Sequence, residues 1–143
     1  MQVLLNDKEK LFKNNIKKFI SEYLKNNKQI NLKSLWQALY KNDFIGKENS
    51  FLKNVVLIEA ACTIESGLGL FLLTQFTCIE IIEKSASMFI KDNYLSKLYS
   101  GEYIGCFSLT EPNAGSDVSM LETNAKKGNS YWIINGQKIW SRE

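Results

Sequence analysis

The chain contains no histidine, and that single absence removes several chemistries at once. Ser-His-Asp and Cys-His nucleophilic sites, HExxH zinc proteases and imidazole metal sites all need it. Arginine is almost missing as well: Arg142 is the only one, so the basic charge is carried by lysine. Bidentate recognition of phosphates and base edges favours the guanidinium group. The net charge of +3 is small and both signs are mixed along the chain, so no nucleic-acid partner is indicated. Cysteine is sparse. Cys62, Cys78 and Cys106 are widely spaced, odd in number and form no CxxC. They read as buried small apolar residues in a reducing compartment, which suggests the cytoplasm, rather than as nucleophiles or ligands. The N-terminus shows neither a signal-peptide pattern nor the arginine-rich character of a transit peptide. The most apolar stretch, 68–82, is too short for a membrane span and carries Thr74, Gln75 and Glu80, so it reads as a core helix.

What is present is an ordinary globular composition: 143 residues, 45% of them hydrophobic, enough for one domain or for one domain and part of another. The first hundred residues show helical periodicity. Phe12, Ile16, Phe19, Ile20 and Tyr23 share one face of a first helix, while Lys10, Lys13, Lys17, Lys18 and Lys25 form a solvated face. A basic membrane-surface helix is the less common reading of that pattern. Asn31 caps a second helix that runs to Lys41 with Leu35, Trp36 and Leu39 inward, and Asn42-Asp43 and Gly46 break it. Asn49 or Ser50 caps a third helix bearing Val55, Ile58, Glu59, Cys62 and Glu65, which ends at Ser66-Gly67. A fourth, mostly buried helix spans 68–84. A shorter fifth includes Tyr94, Leu95 and Leu98 and ends at Ser100-Gly101.

Two near-motifs in this half carry no chemistry. Gly67-Leu68-Gly69 lacks the third glycine and the preceding strand of a dinucleotide fingerprint, so it reads as an interhelical break. Glu59, Glu65, Glu80 and Glu83 lack the histidine partners of a carboxylate metal bundle and read as surface or capping residues.

After Gly101 the pattern changes to strands and turns, which gives a helical domain over 1–102 and the beginning of a β-domain over 103–143. Tyr103 to Thr110 reads as a strand, Pro112 starts a turn, and Val118 to Ala125 can form a second strand. Lys127-Gly128-Asn129 is a turn. Tyr131 to Ile134 and Gln137 to Trp140 flank Asn135-Gly136, a strong two-residue hairpin signal. Between these, Ala114-Gly115-Ser116-Asp117 offers close backbone approach, N–H groups and a hydroxyl, as a phosphate or pyrophosphate would need, although such a sequence is usually only a turn. Thr110 could donate to the edge of a planar heterocycle and Trp140 could stack on one; packing explains each equally well.

The joint order is more specific than any one piece. Leu109-Thr110-Glu111-Pro112-x-Ala114-Gly115-Ser116-Asp117, then the Gly128 turn, then Ile134-Asn135-Gly136-Gln137-Lys138-x-Trp140 resembles the middle-domain signature of the acyl-CoA dehydrogenase family. The first hundred residues resemble its N-terminal domain more loosely. The resemblance implies a mainly α fold, an N-terminal helical bundle followed by the first strands of an antiparallel β-domain. It implies FAD as cofactor and α,β-dehydrogenation of acyl-CoA thioesters as the activity. Phe107 through Ser116 would run along the isoalloxazine and pyrophosphate, with Leu109 and Thr110 at the pyrimidine edge. Gly115 would admit the backbone, Ser116 would bind near the pyrophosphate and touch the acyl-CoA, Trp140 would pack on the flavin ring, and Arg142 would pass near its reactive edge. An electron-transfer partner and a homo-oligomer are implied for the full-length enzyme.

Three departures from the family pattern stand out. Asn113 replaces a common glycine, and Arg142 replaces a small hydroxyl residue beside the flavin. The sequence stops at Glu143, before the region that would carry the family's catalytic glutamate, so no catalytic residue is nominated and the chain reads as a truncated piece with little activity of its own. A sheet cut there would expose an edge and be poorly soluble or partly unfolded beyond residue 102. Alternatives within the same reading are an acyl-CoA oxidase, a dehydrogenase of carrier-protein-bound acyl groups, and a non-catalytic partner subunit.

Overall fold

The computed structural model describes residues 5–27 and 29–141. It is mainly helical, and its contacts group the chain into two compact units, Met1–Gly105 and Cys106–Glu143.

Five helices make the first unit: α1 Asp7–Asn26, α2 Leu32–Lys41, α3 Phe51–Cys62, α4 Ser66–Ser85 and α5 Met88–Ser100. Each begins where a side chain can satisfy an orphan N–H. Asn6 and Glu9 form a capping box on α1, and Asn31, Ser50 and Ser87 cap α2, α3 and α5. α5 ends on Gly101 at φ 76°, the left-handed region that glycine enters without a Cβ penalty. The connection from α3 to α4 departs from the sequence expectation. Glu65 does not ride on α3; its carboxylate accepts from Gly67 N–H and caps α4, so Ser66 and Gly67 open that helix instead of closing the previous one. Gly69 is likewise helical, not part of a break. A Cβ there would overlap the Cys62 sulfur, so the missing side chain lets α3 and α4 approach closely.

The core is apolar and close-packed around Trp36, with Ile16, Ile20, Leu35, Leu39, Leu57 and Leu72 fully buried. The Trp36 indole N–H donates to the carbonyls of Leu98 (2.9 Å) and Tyr99 (3.1 Å), two acceptors that the end of α5 leaves open. Gln75 on α4 exchanges two 2.8 Å hydrogen bonds with the backbone of Gly105. Tyr103 N–H donates to Lys97. Residues 103–105 are therefore pinned to the helices, and the strand expected over 103–110 does not form. α4 is 20 residues long and, by length and composition, could cross a bilayer, contrary to the shorter span read from the sequence. Half of it is buried in the bundle, including Leu68, Phe71, Leu72 and Ile79, as a core helix requires. The solvated lysine face of α1 also needs correction. Lys13 is 4% exposed and lies 2.7 Å from Glu59 of α3. Of the three cysteines, Cys78 is buried while Cys62 and Cys106 are exposed, so only one follows the expected burial.

The second unit is a short chain path around one hairpin. β1 Asn124–Lys127 pairs antiparallel with β2 Trp132–Asn135, in register Asn124↔Asn135 to Lys127↔Trp132. The connection is Gly128–Tyr131, closed by a 2.8 Å bond from Gly128 N–H to the Tyr131 carbonyl. The hairpin expected at Asn135-Gly136 is absent: Gly136 is at φ 150° against Thr123, and Gln137 to Trp140 run back along Thr110. Val118–Met120 forms a 3-10 turn where a strand was expected. Pro112 does open a turn, with Glu111 and Ala114 paired across it at 2.9 and 3.2 Å. The Glu111 carboxylate is buried and accepts from Glu122 N–H (2.7 Å), Thr123 N–H (3.0 Å) and the Lys138 ammonium (2.7 Å). These donors, Lys138 foremost, hold its pKa at about 2, below the ordinary 4.5.

Two outcomes are expected. Because burial of Lys13 depends on its partner, Glu59→Ala should lower the unfolding free energy of the helical unit by about 2 kcal/mol, while Lys13→Met, which leaves no buried charge, should cost less than half of that. Urea melts followed by helical circular dichroism read both. Glu111 has a depressed folded-state pKa, so its stabilisation is complete above about pH 4.5 and is lost as pH falls toward 2. NMR dispersion of residues 106–141 should collapse across that window, and Glu111→Gln should remove this part of the acid dependence while lowering order at neutral pH.

Candidate functional site

The residues nominated from the sequence lie in the second unit, and one backbone arrangement gathers several of them. Ile139 N–H donates to the Thr110 carbonyl at 2.8 Å. The hydroxyls of Ser108 and Ser141 meet at 2.7 Å, and the Lys138 ammonium reaches the Leu109 carbonyl at 3.0 Å. Residues 108–110 and 138–141 thus run side by side, which makes Leu109, Thr110 and Trp140 neighbours on one ledge. Phe107 and Leu109 are exposed, and Thr110 is half-buried. Trp140 is 79% exposed and sits at φ 58°, a left-handed conformation uncommon for a bulky residue. The ledge thus presents a large aromatic ring to solvent from a strained backbone position.

Gly115 and Ser116 follow the Pro112 turn and are exposed. No atom lies within 4 Å of the point where a Gly115 side chain would begin, so the backbone there is open to close approach. Asp117 is exposed as well, and its carboxylate would oppose an anionic ligand in this loop. Its carboxylate accepts from the Ser119 hydroxyl (2.6 Å) and N–H (3.0 Å), which lower its pKa. Among the described residues, no hydrogen bond or ion pair joins this loop to Trp140. Arg142 lies outside the described residues.

Glu111 and Lys138 are what the sequence reading missed. Both lie inside the motif segments, where nothing local links them. The available signal was a carboxylate and an ammonium set in otherwise apolar or neutral stretches. Their 27-residue separation hides the pairing from any local pattern.

The sequence profile of the acyl-CoA dehydrogenase middle domain matches residues 106–143. Mitochondrial isovaleryl-CoA dehydrogenase from Bos taurus is 31% identical over 95% of this chain and 36% of its own. The short/branched chain specific acyl-CoA dehydrogenase of Rattus norvegicus is 35% identical over 76% of this chain and 27% of its own. The crystal structure of a glutaryl-CoA dehydrogenase from Mycobacterium smegmatis in complex with FADH2 superposes with a TM-score of 0.84 at 24% identity, covering 99% of this chain and 40% of that one. The chain therefore spans well under half the length of these relatives. With residues 106–143 matching the middle domain and nearly the whole chain aligning with acyl-CoA dehydrogenases, the chain belongs to the acyl-CoA dehydrogenase family.

Proposed function

We propose that this chain is the flavin-binding portion of an acyl-CoA dehydrogenase, an oxidoreductase that desaturates acyl-CoA thioesters between the α and β carbons, with FAD as its cofactor. The observation that carries the reading is the ledge of residues 108–110 and 138–141, capped by the exposed Trp140. The residues present fit the cofactor. Phe107, Leu109 and Trp140 offer exposed apolar surface to a planar ring, Thr110 and Ser116 supply hydroxyls, and Gly115 leaves its surroundings open. When bound, FAD supplies the hydride acceptor for the β-hydrogen. Leu109 and Thr110 would hold the ring's pyrimidine edge, where donors favour the negative charge of the reduced state. Ser116 would bind near the pyrophosphate and touch the acyl-CoA, and Arg142 would lie beside the reactive edge.

Several of the chain's carboxylates already have partners of their own. Glu111 is held ionised in its clasp, Glu59 pairs with Lys13, Glu65 caps α4, Glu80 pairs with Lys84, and Glu83 accepts from Tyr99. No residue of this chain is assigned as the base that removes the α-proton. An electron-transfer protein and a homo-oligomeric state belong to the same reading, and the exposed thiols of Cys62 and Cys106 suit a reducing compartment such as the cytoplasm.

A titration of the 143-residue chain with FAD, followed by flavin fluorescence, tests the reading. Wild type should bind. Gly115→Val should abolish binding without disturbing the fold, because its side chain enters open space, and Trp140→Ala should weaken binding about fivefold. Equal binding by wild type and Gly115→Val would contradict the assignment.

A further inference from the structure

Three strips of backbone converge on one carboxylate. Glu111 directly follows Leu109 and Thr110, its Oε2 accepts from Glu122 N–H, and its Oε1 accepts from Thr123 N–H and from Lys138. Lys138 in turn bridges back, donating to the Leu109 carbonyl at 3.0 Å as well as to Glu111 at 2.7 Å. The Glu111 side chain is almost wholly enclosed and that of Lys138 about three-quarters so. Just beyond Lys138, Ile139 N–H bonds the Thr110 carbonyl. The two strips that form the ledge are thus tied at two adjacent points, one by main chain and one by the ammonium. An exposed ledge has little apolar packing to fix its spacing, so the charge-assisted bonds must do so.

We propose that Glu111 and Lys138 are positioning residues for flavin binding: the clasp sets the separation of residues 108–110 from 138–141 and so presents Leu109, Thr110 and Trp140 in the arrangement the ring requires. The inference rests on the flavin reading above and adds two residues that need not touch the cofactor. Lys138 acts through the Leu109 carbonyl, and Glu111 acts by holding Lys138 while anchoring the segment that leads into β1. A general stabilising role would loosen the whole second unit. A positioning role loosens the ledge first and leaves the Gly128–Tyr131 end of the hairpin, which the clasp does not touch, as it was.

Two readouts on the whole 143-residue chain separate these. In amide hydrogen exchange by NMR, Lys138→Met should speed exchange at Ile139 and Thr123 about tenfold while Gly128 stays unchanged, and Lys138→Arg should restore protection. In FAD titrations followed by flavin fluorescence, Lys138→Met should weaken binding about tenfold and Lys138→Arg should bind nearly as wild type does. Unchanged exchange at Ile139, acceleration of Gly128 together with Ile139, or unaltered FAD affinity of Lys138→Met would each overturn the positioning role. Wild type failing to take up FAD would overturn the flavin reading and this inference with it, and the exchange pattern distinguishes that failure from a clasp that orders nothing.

Discussion

A buried carboxylate in a segment without an apolar core governs the part of this molecule that carries its signature. Among the described residues of the second unit, only Glu111 and Ala114 are buried. Trp132, Ile133, Ile134 and Trp140 all face solvent, so hydrophobic burial cannot specify how the strips lie. A two-stranded hairpin alone is marginal in water. What remains is the set of charge-assisted bonds on Glu111, which is ionised at neutral pH and satisfied by two backbone donors and an ammonium.

The helical unit works by the opposite means. Its order comes from close-packed side chains around Trp36, and three of its buried polar groups are matched across elements: the indole N–H on the end of α5, Lys13 on Glu59, Gln75 on Gly105. Tyr99 belongs to the same pattern. Burial, together with its bond to Glu83, raises the phenol well above its ordinary pKa and keeps it neutral and donating. Gly101 and the Gln75–Gly105 pair then fix where the chain leaves the helices, because Gly101 lies hard against Trp36 and Gly105 against Cys78.

The helices were legible because their signals are local. A 3.6-residue period, Asn31 and Ser50 at N-caps and Gly101 at a C-cap each act within a turn or two of themselves. The β segment was less so. Asn135-Gly136 is a strong hairpin signal, yet Gly128–Tyr131 closes the hairpin, and Gln137 to Trp140 are drawn to Thr110 instead of folding back on β2. Strand pairing is a choice among partners distant in sequence, and local turn chemistry decides it only when nothing stronger competes. The same holds for Lys13, whose burial depends on a carboxylate two helices away, and for Cys62, which ends α3 with its sulfur over Gly69 yet exposed. At the candidate site the residue types were visible in the motif. The side-by-side course of 108–110 and 138–141 and the clasp beneath it were not.

Chemical-shift mapping tests most directly whether the family signature and the physical ledge form one site. In 15N spectra of the chain with and without FAD, the amides of Leu109, Thr110, Gly115, Ser116 and Trp140 should shift together, while those of α1 to α3 stay in place. Shifts confined to the helical unit, or none in the ledge at saturating FAD, would contradict the account.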